Sequence, residues 1–123
     1  MIDIDKLLTN NPMAAERYVS RFDINLLRGY SVLGVLKEVR NLVHQGNRLL
    51  THPVTSGTAP NGNPFCSVVV SAEAGSTDFN SVSIIENSIA VREKISMNLK
   101  LPDTAIEDFM LIDCDMIAKG GTI

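Results

Sequence analysis

Positive charge is scarce in this chain. Eleven Lys and Arg stand against 14 Asp and Glu, for a formal net charge of −3. A protein that grips nucleic acid through its phosphates needs a basic field to replace the released counterions. The basic residues here are scattered, so nucleic acid is not the expected partner. A small anion stays open, because backbone N–H groups can hold one without net positive charge. Long apolar runs are missing too: no stretch approaches the roughly 18 residues of a membrane span. The first residues, MIDIDK, are acidic and lack a basic region followed by an apolar run, so no export signal is expected. Cysteine is limited to Cys66 and Cys114, which form no Cys-x-x-Cys. That pattern suits reduced thiols in the cytoplasm, each a small buried hydrophobe. Neither Gly-x-x-x-x-Gly-Lys-Ser/Thr nor Gly-x-Gly-x-x-Gly occurs, so neither nucleotide motif is present; no metal site is expected, and the cofactor stays unknown.

What is present suffices for a core. The chain has 123 residues, 45% of them apolar and 20% charged. That is ordinary for one domain, taken as 1–123 with a loose tail at 118–123. Residues 4–9 read as a short strand. Asn11 then caps a helix whose first position is Pro12, where a missing N–H costs nothing. A second strand follows in DINLLRG and stops at Gly29. In SVLGVLKEVRNLVHQG, Val32, Val35, Leu36, Val39, Leu42 and Val43 recur at helical spacing. Ser31 is its N-cap and Gly46 its left-handed terminator. Gly34 inside it costs about 1 kcal/mol against Ala, which close packing against a strand would justify. NRLLTHP reads as a third strand and PFCSVVVSA as a fourth, its valines covered on both faces. The pattern is helical again from Asp78 to Leu99, with Pro102 just beyond, and DFMLIDCDMI reads as a fifth strand. Strands and helices alternate. The expected fold is a three-layer α/β/α sandwich around a mostly parallel sheet of about five strands. The direction of the fourth strand relative to the third stays open, because no helix is legible between them.

The chain also echoes itself. LLTNNP at 7–12 and LLTHP at 49–53 both end an apolar run in threonine, polar residues and proline. Ligands of open α/β sheets bind beyond the carboxyl ends of the strands. If the two strands run parallel, Thr9, Asn10 and Asn11 reach the same rim as Thr51 and His52. Plain turn chemistry is the competing reading, and the better one for the two asparagines. After His52 comes a long loop with no regular pattern, VTSGTAPNGNP. Such loops are functional or disordered. Thr55, Ser56, Gly57, Thr58 and Asn61 could wrap a small polar or anionic group, the glycines supplying unusual backbone angles. An ordinary surface loop fits equally well.

Catalytic arrangements are thin. His52 with a loop hydroxyl or Cys66 makes a conceivable enzyme, yet Cys66 opens an apolar run, and burial would silence its thiol. Asp113 and Asp115, spaced as in a strand, would face one side as a solvated strand end, a poor metal site by themselves. His44 falls on a polar helix face, and Glu86 and Asn87 suit an ordinary surface.

TNNP at 9–12, VLKEVRNLVHQGNRLLTHPVTSG at 35–57, PNGNPFCSVVVS at 60–71 and SIIENSI at 83–89 together resemble the GrdX family. The resemblance implies a small accessory protein of the cytoplasmic glycine, sarcosine and betaine reductase systems of amino-acid-fermenting anaerobes, with no catalytic residues to carry over. The echoed strand ends and the long loop favour binding of reductase-complex proteins or of a small polar or anionic ligand at the rim. A small enzyme built on His52, and a structural homo-oligomer without a ligand, are the alternatives.

Overall fold

The computed structural model describes residues 4–53, 63–94 and 103–118. Among them the chain forms a three-stranded sheet and four helices, in a mixed α/β arrangement. β1 (Lys6–Thr9) leads through α1 (Pro12–Arg17) to β2 (Asp23–Leu26). α2 (Val32–His44), β3 (Ser67–Val70), α3 (Phe79–Glu93) and α4 (Asp103–Ala118) follow. The strand order is β2-β1-β3. β1 and β2 are parallel, Leu7 opposite Ile24, whereas β1 and β3 are antiparallel, Thr9 opposite Ser67 and Leu8 opposite Val68.

The local signals act where they stand in the sequence. Asn11 accepts the Met13 N–H ahead of Pro12, and Ser31 accepts the Gly34 N–H ahead of α2. Asp78 caps α3 in the same way through Ser81. Each cap satisfies an N–H that has no partner in the first helical turn. Gly46 ends α2 at φ 109°, a conformation that disfavours a side chain. A Cβ there would lie 2.0 Å from the Gly75 carbonyl oxygen, so the close turn contact excludes one outright. At Gly34 the nearest neighbour is the Tyr30 ring, which a Cβ would meet at 3.1 Å.

Alternation along the strands divides the core in two. Leu8, Val68 and Val70 turn to one face, where α2 supplies Val32, Val35, Leu36, Val39 and Val43, and α3 supplies Ile85 and Ile89. Leu7 and Val69 turn to the other, against Ala14 of α1, Tyr18 just after it, and Cys114 and Ile117 of α4. Helices thus cover both faces of the sheet. Burying each large aliphatic side chain contributes roughly 1.5–3 kcal/mol before conformational entropy is set against it.

Three expectations change. The five-stranded, mostly parallel sheet is replaced by this smaller mixed one, in which the valines of β3 are buried by helices on both faces and their strand is antiparallel. The expected third strand is a short lateral contact. Leu49 bridges Val70, Leu50 N–H donates to Val69 O, and Ser71 N–H donates to Arg48 O. One residue further on a side chain joins in, Val69 N–H donating to Thr51 Oγ1 at 3.0 Å. This segment is antiparallel to β3 and so runs in the direction of β1, with β3 between them. The expected fifth strand lies inside α4. Ile106, Phe109, Met110, Asp113, Cys114 and Ile117 recur at three- and four-residue steps, and all are buried or half-buried. Its apolar content suited a strand; its period is that of a helix.

Candidate functional site

The first strand ends in a buried polar chain that ties three segments together. Thr9 and Asn11 are fully buried and Asp113 is 2% exposed. Asn11 N–H donates to Thr9 Oγ1 at 3.0 Å, and Thr9 Oγ1 lies 2.7 Å from Ser67 Oγ. The Ser67 hydroxyl donates to Asp113 Oδ2 at 2.6 Å. Ser67 has one proton and it goes to Asp113, so the Thr9 hydroxyl must be the donor to Ser67. The Asn11 amide closes the circuit. Its Nδ2 donates to Asp113 Oδ2 at 3.0 Å and to Met110 O at 2.9 Å, while its Oδ1 caps α1. One side chain therefore begins α1 and fastens α4 to it. Tyr18 adds a second tie, its hydroxyl donating to Cys114 O.

Asn10 braces the opposite side. Its Nδ2 donates to Tyr30 O and Pro64 O, and its Oδ1 accepts the Cys66 N–H at 2.8 Å. Asn63 accepts the Phe65 N–H and donates to Phe109 O. The asparagines that the sequence placed at a rim are thus buried, with their amides spent on the protein's own backbone and on Asp113.

Beside this chain lies a small cleft lined by Thr51, His52, Pro53, Ser67, Asp113, Met116 and Ile117, with a volume of about 20 Å³. That is room for about one water-sized group. His52 is exposed at it and Thr51 half-buried. The echo between LLTNNP and LLTHP therefore has a structural counterpart, though not two adjacent strand ends. Thr9 and Thr51 lie on either side of β3, and Ser67 contacts Thr9 while lining the cleft with Thr51 and His52. Thr55, Ser56, Gly57, Thr58 and Asn61 lie outside the described residues.

Electrostatics separate the acid from the thiols. Burial pushes the Asp113 carboxyl above its ordinary value, outweighing the donors from Ser67 and Asn11 that pull it down. Burial, and then the nearby Asp113, push the Cys66 thiol up, against a weaker opposing pull from Arg92. Cys66 is 3% exposed and its Sγ faces Pro53 O. Such a thiol stays protonated, and the thiolate is the nucleophile. Cys114 is fully buried and raised for the same first reason. Among the described residues no group of three or more His, Cys, Asp and Glu could hold a metal ion. His44 and Glu86 are surface partners at 3.3 Å, with Arg40 at 3.8 Å from the same carboxylate, far from a rim role.

Ser67 and Asp113 are the residues that the sequence reading missed. The sequence pattern suggests a solvated strand end for Asp113 and Asp115. In the helix the two point apart: Asp113 is buried, while Asp115 is exposed and pairs with Arg17 at 3.5 Å. The signal was available, since an acid on the apolar stripe of a helix asks for buried partners.

Fold and cleft together define a small mixed α/β protein whose polar residues converge on one buried carboxylate beside a narrow opening. Residues 6–120 match the family model described as GrdX-like protein, and the chain belongs to that family. No curated protein and no solved structure matches the chain. Among the described residues no helix is long and apolar enough to cross a membrane.

Proposed function

We infer that this protein is a non-catalytic accessory component of a glycine reductase-type system in amino-acid fermentation. It acts by holding a small polar ligand or a partner protein at the cleft beside β3. The family match over residues 6–120 is the observation that carries this reading. The groups facing the binder are Thr51, His52 and Ser67, with Thr55, Ser56, Gly57, Thr58 and Asn61 following Pro53 in the chain. Thr9 and Asn11 hold its lining residues Ser67 and Asp113 in place, while Asn10 braces the opposite side. The state of Cys66 favours binding over covalent catalysis, because a buried, protonated thiol is a poor nucleophile. The test is calorimetric titration of the purified chain against each purified reductase component and against a panel of small polar metabolites. Binding of one of them, weakened in His52→Ala, is expected. A chain that binds none of the components and none of the metabolites removes the reading.

A further inference from the structure

The cleft beside β3 offers acceptors at its floor. Ser67 spends its proton on Asp113 Oδ2 and accepts from Thr9, which leaves it a lone pair. Thr51 Oγ1 accepts the Val69 N–H and keeps a second lone pair. Both donors to Asp113, Ser67 and Asn11, fall on Oδ2; among the described residues none donates to Oδ1. Asp113 is 2% exposed yet lines the cleft, and among the described residues it is ion-paired to no Lys, Arg or His. The remaining walls are the apolar Pro53, Met116 and Ile117, with the exposed imidazole of His52 at the mouth. The volume of about 20 Å³ takes one water-sized head group.

We propose that this cleft is a subsite for a protonated primary amine, seated on Asp113 Oδ1 with its alkyl chain against Met116 and Ile117. An ammonium carries three donors and no acceptor, which suits Asp113 Oδ1, Ser67 Oγ and Thr51 Oγ1. An anion would meet a buried carboxylate at short range, where like charges repel strongly. The proposal rests on reading this cleft as the binding site of the accessory protein, and it replaces the anionic ligand of the sequence-based expectation by a cationic one. The amine is either a free small molecule or the lysine side chain of a partner.

The experiment is a titration of the whole, uniformly ¹³C-labelled chain, following the Asp113 carboxyl resonance. The probes are methylammonium, an N-acetylated lysine amide, tetramethylammonium and inorganic phosphate. The two primary amines should shift the resonance saturably, while tetramethylammonium, which has no N–H, and phosphate should not. Tighter binding of the blocked lysine assigns the site to a partner's side chain; equal or tighter binding of methylammonium assigns it to a free amine. Asp113→Asn should weaken either amine at least about tenfold, the equivalent of one lost charge-assisted hydrogen bond. Should that variant fail to fold, the wild-type titration decides alone. A saturable shift with phosphate, or none with either amine, overturns the subsite. If the chain still binds a reductase component in that case, the accessory role stands. If the amines bind but no component does, the subsite survives and the reductase association is lost.

Discussion

Asn11 links three parts of the molecule, and its removal tests how the fold is held together. In Asn11→Ala, α1 loses its N-cap acceptor for the Met13 N–H, a change that costs about 1 kcal/mol. The Nδ2 donor to Asp113 disappears as well. A hydrogen bond to a charged group is worth about 1.5–3 kcal/mol, and Asp113 would keep only Ser67 among its described donors. The bond to Met110 O goes at the same time. The cap and the bond to Asp113 alone sum to about 2.5–4 kcal/mol, a large share of the roughly 5–15 kcal/mol that holds a domain of this size folded. Urea unfolding at neutral pH measures it directly. Asn11→Ser separates the contributions, because serine restores the cap but cannot reach across to α4; it should recover only about 1 kcal/mol. Asn11→Asp keeps the cap and sets a second carboxylate against Asp113, so it should be at least as unstable as the alanine variant at neutral pH and recover in acid. If Asn11→Ala lay within about 1 kcal/mol of wild type, or serine restored full stability, the bridge from α1 to α4 would contribute nothing, and the reasoning would fail.

Further outcomes follow from the same geometry. Asp113 has a folded-state value raised above the ordinary 3.8, so the stability tied to it is fully present in acid below that value and is lost as pH rises through the raised one. Asp113→Asn escapes that loss. The Tm of the variant relative to wild type should therefore climb as pH rises through this window, and parallel profiles would contradict the burial argument. Gly46→Ala forces a methyl group to within 2.0 Å of the Gly75 carbonyl oxygen at φ 109° and should cost more than about 2 kcal/mol in thermal unfolding; an unchanged Tm would show that the 71–78 segment simply moves aside. Cys66 should react with iodoacetamide only in denaturant, because it is buried and held as the thiol. Mass spectrometry showing Cys66 labelled in the native protein as fast as a free thiol would revive the nucleophile reading.

Much of the local structure needed no tertiary information. Asn11 before Pro12, and Ser31 before an apolar stripe, announce helix starts because a side-chain acceptor is needed there wherever the helix lies. Gly46 announces a turn because a positive φ suits glycine in any context. Three consecutive valines at 68–70 announce a strand buried on both faces. The same reading failed at 108–117, where the density of Ile, Leu and Met suggested a strand. The three- and four-residue spacing that marks a helix only becomes obvious once Asp113 is admitted to the buried stripe.

The sequence by itself determined that this chain is a mixed α/β protein with capped helices and a valine-rich inner strand, because capping, turn and periodicity signals act over a few residues. Its motif set also pointed to the family that the match over 6–120 establishes. Tertiary structure decided the rest. The antiparallel direction of β3, the place of β3 between Thr9 and Thr51, and the inward turn of Asp113 all depend on residues far apart in sequence. Asn11 and Asp113 are separated by 102 positions. Nothing local says whether a threonine or asparagine at a strand end will face a ligand or be consumed by the protein itself. Here packing α4 against the sheet brought a carboxylate to those groups, and satisfying it turned Thr9, Asn11 and Ser67 inward, leaving the cleft at Thr51 and His52 to face outward.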